Sequence, residues 1–303
     1  TLAGIETADA VLLVGSNIRW EAPLIATRLR KVAKRGRRIF GIGPETDLGM
    51  RVTWLGDELK LLGKLPKEAA DTIAKAERPA IILGPGALAA GALGAALKIA
   101  GQFQKDGWNG FNVVHTAASR MAGLLLGYAQ PGGLKDVAAA KPEVVLMLGA
   151  DELADEAFEG AFKIYVGHHG DRGARQADLV LPGAAYAEKH GTFVNLEGRV
   201  QRAERATFPP GDAREDWTIF RAVSEFTGKP LKFDTFDQLR TAMIKAVPAL
   251  GRDGLIDLPW APPALDAKAS GSIAYPIRDF YLTNAICRAS PTMQRCSEEL
   301  VQG

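Results

Sequence analysis

Short apolar runs that stop at a glycine recur along this chain, and they constrain its fold more than any other feature. The clearest are Ala10-Val-Leu-Leu-Val-Gly15, Arg38-Ile-Phe-Gly-Ile-Gly43, Ala80-Ile-Ile-Leu-Gly84, Val144-Val-Leu-Met-Leu-Gly149 and Ile164-Tyr-Val-Gly167. Val113-Val114 and Leu179-Val-Leu181 are shorter versions. The runs are continuous rather than alternating, so each reads as a strand covered on both faces, as in a parallel sheet. Helix-prone segments separate them: Pro23 to Arg35, Pro66 to Ala76 and the Ala-rich Gly86 to Ile99. Strand–helix–strand alternation predicts a doubly wound α/β fold, with strands near 10–15, 38–42, 80–84, 111–115, 144–149 and 163–167, and ligand sites at their carboxyl ends.

The pattern changes after Gly211. Asp212-Ala-Arg-Glu215 reads as a capping box opening a helix, with Trp217, Phe220 and Val223 on one face and Gly228 past its end. Thr235-Phe-Asp-Gln238 opens a second helix, which turns Phe236, Leu239, Met243 and Val247 inward and stops at Pro248. Pro259, Pro262, Pro263 and Pro276 make 251–276 an extended strap. A tail of two short helical pieces follows, split at Ser290-Pro291. The expected division is a first α/β lobe over 1–72 that belongs to a larger domain, a second over 73–250, and the strap and tail over 251–303. The strap and tail should wrap over the α/β body or a partner, and their deletion should leave the lobes folded.

Composition narrows the function. A net charge of +2 on 303 residues exerts no overall pull toward nucleic acid or an acidic membrane surface. The Ala/Gly-rich stretch 86–101 is interrupted by Lys98 and falls short of the ~18 apolar residues of a membrane span. The opening Thr1-Leu-Ala-Gly4 has no basic leader, and a buried-strand pattern from Ala10 reads as a cut through a longer protein. With only Cys287 and Cys296, a four-cysteine iron–sulfur or zinc set cannot be assembled from this segment.

No motif reads as a catalytic, cofactor or metal site. Gly84-Pro-Gly86-Ala-Leu-Ala-Ala-Gly91 has the spacing G-x-G-x-x-x-x-G, not the G-x-G-x-x-G that brings backbone to a pyrophosphate, so a plain strand–helix turn is favoured over a bound dinucleotide. His168 and His169 follow a strand, where adjacent side chains point to opposite faces, so the two imidazoles are expected to face apart. His190-Gly191 beside Glu188 lacks any accompanying nucleophile pattern. Arg28, Arg30, Lys31, Lys34, Arg35, Arg37 and Arg38 form a basic run without interleaved aromatics. A solvated face is favoured over a nucleic-acid patch, with contact to an acidic neighbouring subunit as an intermediate reading.

The segment 178–202 carries a resemblance. Its strand ends at Pro182-Gly183, a polar run with Tyr186 and Glu188-Lys189 follows, and Thr192–Val194 leads into Asn195-Leu-Glu-Gly-Arg199-Val-Gln201. This resembles the strand–turn–strand segment of molybdopterin-type oxidoreductases, and in particular the large (75 kDa type) iron–sulfur subunit of respiratory complex I. Ala8–Asn17 with Arg19–Leu24, Leu148–Asp151, Tyr165–Asp171, Ala177–Pro182, Ala213–Trp217, Ile277–Tyr281 and Arg288–Ser290 extend the likeness over nearly the whole length. The tail is similar to mitochondrial and alphaproteobacterial members.

That resemblance implies a scaffold segment of a proton-translocating NADH:quinone oxidoreductase, in a region regarded as having lost its molybdopterin. The [2Fe–2S] and [4Fe–4S] clusters would belong to an amino-terminal region absent here. The implied partners are other hydrophilic-arm subunits, at the cytoplasmic face of a bacterial inner membrane or the matrix face of the mitochondrial one, and the segment alone would be non-catalytic. Two other readings stay open: the cofactor-binding part of a formate dehydrogenase or nitrate reductase, and a nucleotide-binding module of a transhydrogenase or thiamine-enzyme kind.

Overall fold

A computed structural model describes residues 1–129, 132–154, 156–257 and 263–302. The chain divides into two units, one of residues 1–118 with 257–278 and the other of 119–256 with 279–303. Pro259 and Pro262 of the expected strap lie outside the described residues.

In the first unit the glycine-terminated runs become strands β1 (Ala10–Val14), β2 (Arg38–Ile42), β4 (Pro79–Leu83) and β5 (Phe111–Val113), with a short β3 at Thr53–Trp54. They form one parallel sheet in the order β3-β2-β1-β4-β5. Alternate residues of β1 enter two separate cores. Leu12 and Val14 pack with helices α4 (Lys67–Lys75), α5 (Pro85–Ala89) and α6 (Leu93–Gln102). Val11 and Leu13 pack with α1 (Leu2–Glu6), α2 (Ile18–Glu21) and α3 (Pro23–Lys34). Two-sided cover is why the runs are apolar without alternation. The expected boundary near residue 72 falls inside this unit, because β4 and β5 extend the sheet of β1. The helix expected over Gly86 to Ile99 is broken into α5 and α6, with Gly91 between them at φ +73.

The second unit holds a parallel sheet of β6 (Val144–Leu148), β7 (Phe162–Gly167) and β8 (Leu179–Pro182). A separate antiparallel sheet joins β9 (Gly191–Val194), β10 (Arg199–Ala203) and β11 (Gly254–Leu255). Its helices are α7 (Arg120–Leu125), α8 (Leu134–Ala139), α9 (Arg172–Arg175), α10 (Asp216–Phe226), α11 (Phe236–Ala246), α12 (Ala285–Ala289) and α13 (Pro291–Ser297). The Asn195–Arg199 turn closes as its sequence indicates: Asn195 Oδ1 accepts from the backbone of Glu197 and Arg199, and Gly198 takes φ +80. In contrast to the first unit, Val144, Leu148, Phe162 and Leu179 are exposed.

Capping follows the sequence at two of three places. Thr235 and Gln238 form the reciprocal box at α11, and Ser290 caps α13, whose first residue is Pro291. The box expected at Asp212–Glu215 does not form, and α10 starts only at Asp216. The backbone of Arg214 is engaged elsewhere, bonded to Pro182 O and Ala184 N at the end of β8. The Glu215 carboxylate meanwhile accepts from Arg205, at 3.1 Å.

Four of the seven basic residues of the run pair with two carboxylates within the chain. Glu6 faces Arg28, Lys31 and Arg35 at 2.5, 3.1 and 3.3 Å, and Arg38 pairs with Glu68. Hydrogen bonds from Arg28 and Lys31 hold the Glu6 carboxyl below its ordinary value of 4.5. Its contribution to stability is therefore complete above pH 4.5 and lost as the pH falls through the lowered value. Glu6→Gln should lower the melting temperature at neutral pH by an amount that salt erodes and acid abolishes. A melting temperature equal to that of the parent in low salt would contradict this.

Candidate functional site

A doubly wound sheet binds ligands where the strand order reverses, beyond the carboxyl ends of the strands. Here the reversal lies between β1 and β4, which are followed directly by Gly15 and Gly84. Gly15 needs its glycine twice over: it sits at φ +60, and a Cβ would stand 2.3 Å from Ala87 N. A Cβ on Gly84 would stand 2.3 Å from Gly15 O and 2.4 Å from Ser16 Cβ. The glycines thus let two segments of this chain touch each other.

The carboxyl-terminal strap completes the closure. Ile273 is buried in the core that holds Leu12 and Val14, and its N–H donates to Asp57 O at 3.0 Å. Against Gly86 there is room for no side chain, because Ala274 O lies 2.6 Å from the place of a Cβ. Tyr275 lies over Gly43, and its hydroxyl donates to Pro44 O at 2.7 Å. Burial and the nearby Glu21 charge push the Tyr275 phenol up. Residues 273–275 therefore occupy the room beyond β1, β2 and β4, where a nucleotide or pterin would approach the backbone. The five-residue α5 that starts there has its first turn against the strap, and the residues at this crevice do not fit such a group.

Just after β1, Ser16 and Asn17 are buried polar residues. Ser16 Oγ donates to Glu21 Oε2 at 2.6 Å. Burial raises the Glu21 carboxyl against the hydrogen bonds from Ser16 and the Asn17 backbone. Nothing in the spacing of Asn17 and Glu21 singles them out in the sequence.

In the second unit a buried cluster ties β6 to β7. Asp151 accepts from Tyr165 Oη at 3.1 Å and from Gly173 N at 3.0 Å. Burial, then the bond to Asp151, raises the Tyr165 phenol. Arg288 of α12 docks on Asp171 and Glu152 at 2.5 and 3.1 Å. The Tyr165–Asp171 and Arg288–Ser290 stretches thus meet in space.

His168 and His169 correct the sequence expectation. Their Nδ1 atoms lie 2.5 Å apart, with the rings edge to face. Both residues fall in a bend beyond β7, where strand alternation no longer applies. Burial lowers the His168 pKa, followed by the effect of His169. His190 faces Glu204 and Glu215 at 3.5 and 3.4 Å. Among the described residues there is no group of three or more His, Cys, Asp or Glu side chains able to hold a metal ion. A cleft of about 490 Å³ lies at the opposite end of β4, beside Pro79, Phe103 and Trp108, away from the strand ends.

The family model of molybdopterin oxidoreductases matches residues 1–226, so the chain belongs to the molybdopterin oxidoreductase family. A second family model, for the carboxyl-terminal region of the G-type subunit of NADH-ubiquinone oxidoreductase, matches residues 261–296. The chain is 40% identical to the mitochondrial NADH-ubiquinone oxidoreductase 78 kDa subunit of Neurospora crassa and 39% identical to that of Candida albicans. It is 37% identical to the NADH-ubiquinone oxidoreductase 75 kDa subunit of Reclinomonas americana. Each match covers 98% of this chain but only 42, 44 and 45%, respectively, of the relative, so the chain spans less than half the length of those proteins. No helix among the described residues is long and apolar enough to cross a membrane.

Proposed function

We propose that this chain is a scaffold segment of the large iron–sulfur subunit of an NADH:quinone oxidoreductase, and that it binds no pterin or nucleotide itself. Electron transfer from NADH toward quinone, and the iron–sulfur clusters that carry it, belong on this reading to the longer protein and its assembly. Other hydrophilic-arm subunits are the partners, and the segment works beside the membrane on its cytoplasmic or matrix side. The supporting observation is the strap: Ile273, Ala274 and Tyr275 fill the crevice at the β1/β4 reversal, where a cofactor-binding relative would need open room. The 75 and 78 kDa relatives supply the class of assembly.

The test is purification of the chain under anaerobic conditions, followed by metal analysis, pterin fluorescence and an NADH oxidation assay. The expected result is no stoichiometric iron, molybdenum or pterin, no visible absorbance and no NADH oxidation. Recovery of bound pterin or molybdenum would replace the scaffold reading with that of a molybdopterin enzyme.

A further inference from the structure

One face of the β6–β7–β8 sheet is apolar and uncovered. The parallel register sets Val144, Leu146 and Leu148 beside Phe162, Ile164 and Val166, and Ile164 in turn beside Leu179. Residues two apart on a strand share a face, so all of these point the same way. Val144, Leu148, Phe162 and Leu179 are 57, 48, 48 and 42% exposed, and no charged residue stands among them on that face. Yet β6 is apolar at every position, as is β1, which is buried throughout. A run of that kind is suited to burial on both sides.

The connections of this unit explain the gap. A parallel sheet takes its cover from the helices that cross between its strands. The crossover from β6 to β7 has no helix among its described residues. That from β7 to β8 supplies only the four-residue α9, and on the other face: a Cβ on Gly173 would stand 2.6 Å from the ring of Tyr165, the chain neighbour of Ile164. The helix before β6, α8, buries none of its residues.

Size decides which partner fits. Three strands ~4.8 Å apart, each five residues long at ~3.3 Å per residue, present about 200 Å². A stable pairing of separate proteins buries ~800 Å² on each side, so this face is too small to hold a second copy of the chain. A segment of the same polypeptide needs far less area, because its tether keeps it at an effective concentration on the order of millimolar. An α-helix ~10 Å across and ~11 residues long matches the face in width and length. In the 75 and 78 kDa relatives there is chain to supply it, since more than half of each lies outside the stretch matched here.

We propose, resting on the reading of this chain as part of a longer subunit, that the face seats an amphipathic helix of the same polypeptide from outside the 303 residues, its apolar stripe against Val144, Leu148, Phe162 and Leu179.

The test compares the 303-residue chain with the native subunit purified from cells in its complex. Hydroxyl-radical labelling should mark Phe162 and Leu148 in the chain alone, and most of that labelling should be lost in the native subunit. A benzophenone amino acid placed at position 162 should cross-link, on illumination, to a peptide of the same polypeptide outside the 303 residues, with apolar residues three and four apart. Phe162→Gln should leave the circular dichroism and melting temperature of the chain alone unchanged, and should lower the melting temperature of the native subunit. Persistent labelling in a longer native subunit, no cross-link, or a cross-link to residues 1–303, a second copy or another subunit would each overturn the docked helix and leave the scaffold reading standing. A native polypeptide of only 303 residues would overturn both.

Discussion

Gly84→Val is expected to collapse the first unit's stability. The first carbon of any side chain at this position would stand 2.3 Å from Gly15 O and 2.4 Å from Ser16 Cβ, and neither neighbour is the free end of a flexible chain. Overpacking a well-filled interior costs ~1–3 kcal/mol, and a clash with main chain lies at or beyond the top of that range. Set against the ~5–15 kcal/mol that holds a typical domain together, such a loss is a large part of the total. Urea titration would measure it, with Gly84→Ala as a milder step of the same sign. Gly101 in α6 supplies the control, because a Cβ there meets nothing within 4 Å. Gly101→Ala should therefore gain ~0.4–1 kcal/mol by restricting the unfolded chain. If Gly84→Val were to unfold at the same urea concentration as the parent, the close approach of the two strand ends would be wrong.

Asp151→Ala should be the most damaging single change in the second unit. Its carboxylate, only 6% exposed, accepts from a buried tyrosine hydroxyl and a buried backbone N–H. Removing the acceptor leaves both donors without a partner, at ~1–3 kcal/mol for each. The Tyr165→Phe change removes one of those donors in advance, so the double variant should lose less than the sum of the single losses. Strict additivity in that cycle would mean the Tyr165–Asp151 bond is absent in solution.

The strands were legible because two-sided burial writes itself locally: Val11 to Val14 are all apolar, and the pattern stops where Gly15 must turn. The reciprocal cap at Thr235 and Gln238 was legible for a similar reason, since its partners are three residues apart. Other features depend on competition or on distance. The Asp212–Glu215 pattern is a valid cap sequence, but the end of β8 takes the Arg214 backbone instead. His168 and His169 looked divergent only while β7 was assumed to run through them. The exposed Val144 also has apolar neighbours in sequence, so its run reads like that of β1, although β1 is buried throughout and β6 is not. The candidate site was the least legible part. Its glycine turn was visible in the sequence, but the strap that fills it has no periodicity to read.

That strap also sets a timetable for the chain. Tyr275 and Pro44 are 231 residues apart in sequence, and the whole second unit up to Ile256 is synthesised between the first sheet and the segment that closes over it. A contact of such long range must meet its loop-closure cost late, after local helices and adjacent strands have formed. During translation, then, the β1–β5 sheet must wait on the ribosome with Leu12 and Val14 lacking Ile273, while more than a hundred further residues emerge. Ribosome-bound chains arrested before residue 257 should accordingly be cleaved by protease around Gly15 and Gly84, and released chains that include residues 273–275 should resist.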